Sequence, residues 1–131
     1  MLLVDDDELV LATTQRQLSK RFDCQTVSDS REALVIVSRG GTDVIVSDLS
    51  MPHLSGDRLL ARVYECSPQV ERVLITGYAD LDSVRRAVNQ GKIFSYLVKP
   101  WGPSELVAAI EGAYQKVLEV RNLKVSRAPG S

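Results

Sequence analysis

Short apolar runs rich in β-branched residues alternate with stretches whose apolar positions recur every three or four residues. This is the rhythm of strand–helix units in a parallel α/β sheet. Residues 2–4 read as a first strand, followed by a helix over about 7–20 with Leu11 and Leu18 on one face. Residues 25–27 form a second strand, and Ser30 is a candidate N-cap for a helix to about 38, which Gly40-Gly41 end. The third strand, 44–47, carries the unbroken apolar run Val44-Ile45-Val46, as a central strand covered on both faces should. The turn Met51-Pro52-His53-Leu54-Ser55-Gly56 leads into a helix over about 57–65, and Pro68 separates it from a fourth strand at 72–75. A helix over about 81–90 stops at Gly91, a fifth strand follows at 94–98, and a last helix starts near Pro103. Proline in a first helical turn sacrifices no hydrogen bond, so that start is well marked.

Polar residues stand where these apolar runs end. Asp5, Asp6 and Asp7 follow Val4, Asp48 closes the third strand, Thr76 the fourth and Lys99 the fifth, with Pro100 directly after. The carboxyl ends of parallel strands converge on one crevice, where ligands bind. The pattern therefore brings carboxylates, a hydroxyl and an ammonium to one point, an inventory suited to a magnesium ion and a phosphoryl group. Negative charge at a helix N-terminus accounts for Asp7 and Glu8 without any ligand. It does not account for Asp5 and Asp6, which also end a buried strand.

Composition narrows the classes. The chain has 131 residues, enough for a single core, with 16 Lys and Arg against 17 Asp and Glu and a net charge of -1. That balance gives no reason to expect a nucleic-acid binder, and the basic residues Lys116, Arg121, Lys124 and Arg127 read as a solvated helix face. No apolar run approaches the length of a membrane span and no basic-then-apolar leader is present, so no membrane contact is expected and the chain reads as cytoplasmic. Cys24 and Cys66 lack metal-ligand spacing and read as reduced, mostly buried thiols. His53, the lone histidine, reads as a solvated loop residue.

Both ends of the chain are unusual. The first strand begins directly after the initiator residue, as in a shortened chain or one with a different true start. The last helix carries Leu106, Ile110, Ala113, Val117 and Val120 at alternating spacings of four and three, a short heptad seam. Lys124 occupies the next seam position. Such a helix serves either as a linker toward a further domain or dimer, or simply as a cover for the core. Residues 127–131 read as disordered or engineered.

Together, V-D-D-D at 4–7, D-L-S-M-P-H-L-S-G at 48–56, T-G at 76–77 and Y-L-V-K-P at 96–100 resemble a two-component response-regulator receiver domain, the CheY-like superfamily. Each motif alone is weak; the four in order are specific, and the resemblance covers most of residues 1–120. It leaves 121–131 as a helical extension, linker or tail. The fold it implies is flavodoxin-like, a doubly wound (βα)5 domain with a five-stranded parallel sheet of order 2-1-3-4-5 and, here, an extended C-terminal helix.

The resemblance also implies roles. Asp48 would accept the phosphoryl group from a sensor histidine kinase or phosphotransfer protein, making an aspartyl phosphate. Asp6, Asp48 and the backbone carbonyl of Ser50 would bind Mg2+ directly, and Asp5 through a water. Lys99 would pair with Asp48 and then with the phosphoryl group, Thr76 would donate to it, and the Lys99-Pro100 bond would be cis. Tyr96 would rotate as Thr76 moves, coupling the site to a face containing Val84, Val88, Phe94, Tyr96, Leu106 and Ile110. That face would control an output domain or a homodimer. The stretch between Gly91 and Tyr96 is one residue longer than in many receivers. Trp101 after Lys99-Pro100 resembles receivers joined to phosphodiesterase, cyclase or transcriptional output domains. Ser50 and Tyr78 would flank the water path that sets phosphoryl lifetime.

Such a domain is a signalling switch, catalysing only its own phosphorylation and dephosphorylation. One alternative is a degenerate receiver used as a phosphorylation-independent docking module, against which the intact Asp5, Asp6, Asp48, Thr76 and Lys99 argue. Another is a haloacid-dehalogenase-like phosphatase with an aspartyl nucleophile. Its D-x-D pattern follows the first strand, whereas here the candidate nucleophile ends the third and Ser50 stands where the general acid would be. A flavodoxin-like cofactor binder would want a Ser, Thr and Gly-rich phosphate loop in place of Asp5-Asp6-Asp7-Glu8.

Overall fold

The computed structural model describes residues 1–77 and 80–126. Five strands, β1 (Leu2–Val4), β2 (Gln25–Val27), β3 (Val44–Asp48), β4 (Glu71–Thr76) and β5 (Ser95–Val98), form one sheet in the order β2-β1-β3-β4-β5. All pairings are parallel. The helices are α1 (Glu8–Leu18), α2 (Ser30–Ser38), α3 (Gly56–Cys66), α4 (Leu81–Asn89) and α5 (Pro103–Ser126). Thus the expected doubly wound α/β fold and strand order are observed.

The period-2 alternation of strand side chains divides the core into two layers. Leu2, Val4, Ile45 and Leu74 face α2, α3 and α4, packing with Ala33, Leu59, Val63 and Ala87. Leu3, Val44, Val46, Val73 and Ile75 face α1 and α5, packing with Leu11, Leu18, Leu106 and Ile110. Aspartates cap three helices: Asp7 accepts from the N–H groups of Leu9 and Val10, Asp29 from Arg31, and Asp80 from Asp82. Asp29 rather than Ser30 therefore starts α2. A carboxylate one residue earlier meets a free first-turn N–H, and Ser30 is already helical and buried.

The last helix takes one of the two roles its seam allows, covering the core, and corrects one expectation. Its 24 residues span about 36 Å, but the seam residues Leu106, Ile110, Ala113 and Val117 are spent on the sheet. Leu106 and Ile110 are wholly buried and contribute nothing to an exposed face, unlike Val88, Phe94 and Tyr96. Among the described residues, the large apolar side chains that α5 exposes are Leu118 and Leu123. Its basic residues are also engaged: Lys116 pairs with the buried Glu71 at 3.7 Å, and Arg121 with Asp43. Both thiols are free; Cys24 is half-buried against the α1–α5 layer of the core, whereas Cys66 is exposed at the end of α3, which corrects the expectation of a mostly buried thiol there. The Tyr78 and Lys124 side chains and the tail at 127–131 lie outside the described residues.

Candidate functional site

Strand register assembles the site. Val4 of β1 lies beside Ser47 of β3, so Asp5 and Asp48 follow as neighbours one step along the ladder. β3 continues beside β4 with Asp48 opposite Ile75, and Thr76 lies opposite Val98, the residue before Lys99. The Lys99 N–H donates to the Thr76 carbonyl at 2.9 Å, tying the two strand ends together. The order reverses direction between β1 and β3, which opens a crevice beyond their carboxyl ends.

One carboxylate oxygen from each of Asp5, Asp6 and Asp48 lies within 4.8 Å of the others. Asp5 is buried, Asp48 half-buried and Asp6 exposed. The Asp7 N–H donates to Asp5 Oδ1 at 2.9 Å, which fixes the Asp5 side chain as α1 begins. Burial, reinforced by the charge of Asp5, pushes the Asp48 carboxyl up to about 6, and Lys99 only partly offsets this. Burial likewise raises Asp5. Three crowded carboxylate oxygens, with the proton affinity of Asp5 and Asp48 raised, match the demand of a hard divalent cation, which takes carboxylate ligands and offsets their repulsion. Ser50 is exposed two residues beyond Asp48 and lines, with Asp6, Met51, Ser55 and Asp80, an open cleft of about 560 Å³.

Gly56 sets the Asp48 backbone, a role that sequence reasoning missed. A Cβ there would lie 2.0 Å from the Asp48 carbonyl oxygen. Its N–H donates to the Leu49 carbonyl at 2.8 Å, which folds the β3–α3 loop back on itself. His53, exposed and at φ 68°, takes the tight left-handed position in that loop.

Lys99 and Tyr96 lie on the outer flank. The Lys99-Pro100 bond is cis. The Lys99 ammonium stands over the Trp101 ring, 5.5 Å from its centroid, and no described carboxylate is within ion-pair distance of it. Below this pair, Leu9, Val10, Thr13, Pro100 and Trp101 line a largely apolar pocket of about 440 Å³. Leu9 is 76% exposed there. Tyr96 is half-exposed on the edge strand β5, and Thr76 is buried at the end of β4.

The turn leading into β5 is held by Arg72. This buried guanidinium donates to the carbonyls of Gly91 at 2.6 Å, Lys92 at 2.9 Å, Pro68 at 3.2 Å and Val70, and lies 4.8 Å over the Tyr64 ring. Lys92 takes a left-handed φ of 46° within this turn. A strand-initial arginine followed by an apolar run was the available signal.

The response regulator receiver domain family matches residues 1–111 of this chain. The hydrogenase transcriptional regulatory protein HoxA of Cupriavidus necator is 34% identical over 115 residues, 88% of this chain and 24% of that protein. The DNA-binding transcriptional regulator NtrC of Salmonella typhimurium is 33% identical over 128 residues, 95% of this chain and 27% of that protein. The chain thus spans about a quarter of the length of these relatives. Among solved structures, the signal receiver domain of an HD domain-containing protein from Pseudomonas fluorescens Pf-5 superposes with a TM-score of 0.86 at 34% identity, covering 90% of this chain and 95% of that one. With the fold, the strand order and the strand-end carboxylates all in agreement, this chain belongs to the response regulator receiver domain family of two-component signalling.

Proposed function

We propose that Asp48 is the phosphoacceptor of a working receiver. The observation that carries this reading is the convergence of Asp5, Asp6 and Asp48 within 4.8 Å at the ends of adjacent strands. In the reaction an Asp48 carboxylate oxygen attacks phosphorus. The P–N bond to a phosphohistidine donor breaks as the O–P bond forms, and the imidazole leaves with a proton from solvent. Asp6, Asp48 and the Ser50 carbonyl would hold Mg2+ directly and Asp5 through a water, and the ion would supply positive charge to the phosphoryl oxygens. Thr76 donates its hydroxyl to a phosphoryl oxygen. Lys99 leaves the Trp101 ring to reach another, a swing that its long, flexible stem allows.

The functional unit spans residues 1–120, and 121–126 continue α5 toward an output domain. HoxA and NtrC are transcriptional regulators by name, and their greater length leaves room for such a domain. The half-exposed Val88, Phe94 and Tyr96, together with Leu118 and Leu123 of α5, supply the apolar surface on which a homodimer or output contact would form. Among the described residues no helix is long and apolar enough to cross a membrane.

The test is incubation with Mg2+ and acetyl phosphate, read by intact mass. One phosphoryl adduct that needs Mg2+ and disappears in Asp48→Asn is expected. An unchanged adduct in that variant would assign the acceptor elsewhere. No adduct at all would favour a docking module.

A further inference from the structure

The geometry points to α4 as a lever. Arg72 and Gly91 pin its C-terminal end, and the Asp57–Arg86 ion pair is a breakable tie that sets how far its N-terminal end swings when Asp48 is phosphorylated. The inference rests on Asp48 being the acceptor. It adds four positioning residues and a direction of motion.

The C-terminal end of α4 is immobilised by backbone. A Cβ on Gly91 would lie 2.8 Å from the Ala87 carbonyl and 3.4 Å from the Ala61 N of α3, so helix and neighbour touch main chain to main chain. The Gly91 and Lys92 carbonyls both accept from the buried Arg72 guanidinium, which is rooted in the central strand β4. Removing such a charged donor would leave several buried carbonyls unpaired, so this end is costly to move. The N-terminal end differs: Leu81 is 62% exposed, and Asp80 and Ser83 line the open cleft shared with Asp6 and Ser50. α4 buries only Val84 and Ala87.

Between these ends lies the tie. Asp57, in the first turn of α3, is wholly buried, and its Oδ2 accepts from Arg86 Nη1 of α4 at 2.5 Å. Its Oδ1 is buried with no hydrogen-bond partner among the described residues. A one-armed contact to a partly exposed arginine is a link that can open, unlike the many-armed Arg72 anchor. Asp57 also directly follows Gly56, which packs on the Asp48 carbonyl, so the tie reports on the acceptor strand. Along the helix, Arg86 lies about 7.5 Å from Gly91 and Asp80 about 16 Å. A displacement at the cleft end is therefore roughly halved at the tie, and about 2 Å at Asp80 moves Arg86 by about 1 Å, enough to break a hydrogen bond. Movement of Thr76, which precedes α4 at the end of β4, would draw on the free end of this lever.

Hydrogen exchange and beryllofluoride binding with Mg2+, measured on wild type, Asp57→Asn and the paired Asp57→Leu/Arg86→Met replacement, test this. In the variants the amides of 81–87 should exchange about fivefold faster or more, while those of Ile93 and Phe94 stay unchanged. By linkage, beryllofluoride should bind about threefold tighter, because less work opposes the swing. Uniform acceleration across the domain, or no change confined to 81–87, would overturn the lever; the paired replacement guards against an effect of an unpaired buried charge. If wild type binds no beryllofluoride, the phosphoacceptor reading fails. The exchange pattern alone then decides the tie, faster 81–87 supporting it and equal rates overturning it.

Discussion

The centre of the sheet and its β5–α4 flank are built differently from the same kinds of residue. Every residue of β4 is buried, and β3 is buried up to Asp48. By contrast, none of the β5 residues is fully buried, and Tyr96 is 46% exposed. α3 buries five positions where α4 buries two. The acidic cluster stands on the rigid half, whereas Lys99 and Tyr96 stand on the loose half. Precise placement of charged oxygens needs a packed support, while a surface that changes shape must be drawn from elements with little burial to lose.

The largest expected break in this contrast is in core packing. Leu74→Ala should cost about 3 kcal/mol in urea denaturation, whereas Val88→Ala on α4 should cost less than about 1 kcal/mol. Equal losses would remove the distinction between centre and flank. Arg72→Met should cost about 2–3 kcal/mol, since buried carbonyls lose a charged donor, and should raise amide exchange at Ile93 and Phe94 before that at Val73 and Leu74.

Asp48 gives a smaller effect with a defined sign. Its carboxyl titrates near 6 when folded against a reference of 3.8, so the native chain binds the extra proton between these values. The contribution of Asp48 to the stability of the metal-free protein should therefore be fully present below about pH 4 and be lost as pH rises through about 6. Asp48→Asn should remove that decline and gain about 1 kcal/mol at neutral pH, a figure discounted for solvent screening of a half-exposed group. Added Mg2+ should flatten the wild-type curve. A wild-type and Asp48→Asn pair with parallel pH profiles would contradict the strain assigned to the cluster.

The smallest effect belongs to Trp101. As the only tryptophan in the chain, it should report departure of the Lys99 ammonium as a change in fluorescence on adding beryllofluoride and Mg2+. Trp101→Phe should alter stability by less than about 1 kcal/mol. An identical emission change in a Lys99→Met variant would show that the signal has another source.

The alternation of apolar runs and helical periods, with Asp5, Asp6, Asp48, Thr76 and Lys99 at the run ends, was enough to read the α/β class and the candidate site. Both are local properties: a strand's period and its terminal residue are written in consecutive positions. Helix starts were legible to within a residue, as at Asp29 against Ser30, because adjacent polar side chains compete for the same free N–H groups. The seam on α5 left two roles open for a related reason. A stripe at spacings of three and four has the same appearance whether it faces a sheet or another helix, and only the packing of Leu106 and Ile110 against β3 and β4 decides.

What tertiary structure alone decided are the contacts between residues distant in sequence. Asp57 stands in the sequence only as the start of a helix, and the fold alone places Arg86 of α4 beside it, 29 residues later. Arg72 looked like the polar start of a strand until the Gly91–Lys92 turn closed over it. Gly56 and Gly91 are required by the approach of another backbone, which no local pattern records. The sequence thus determined which groups could meet at the strand ends, because strand direction carries them there. The fold determined which of them are crowded, which are anchored and which remain free to move, because burial and long-range pairing depend on every element at once.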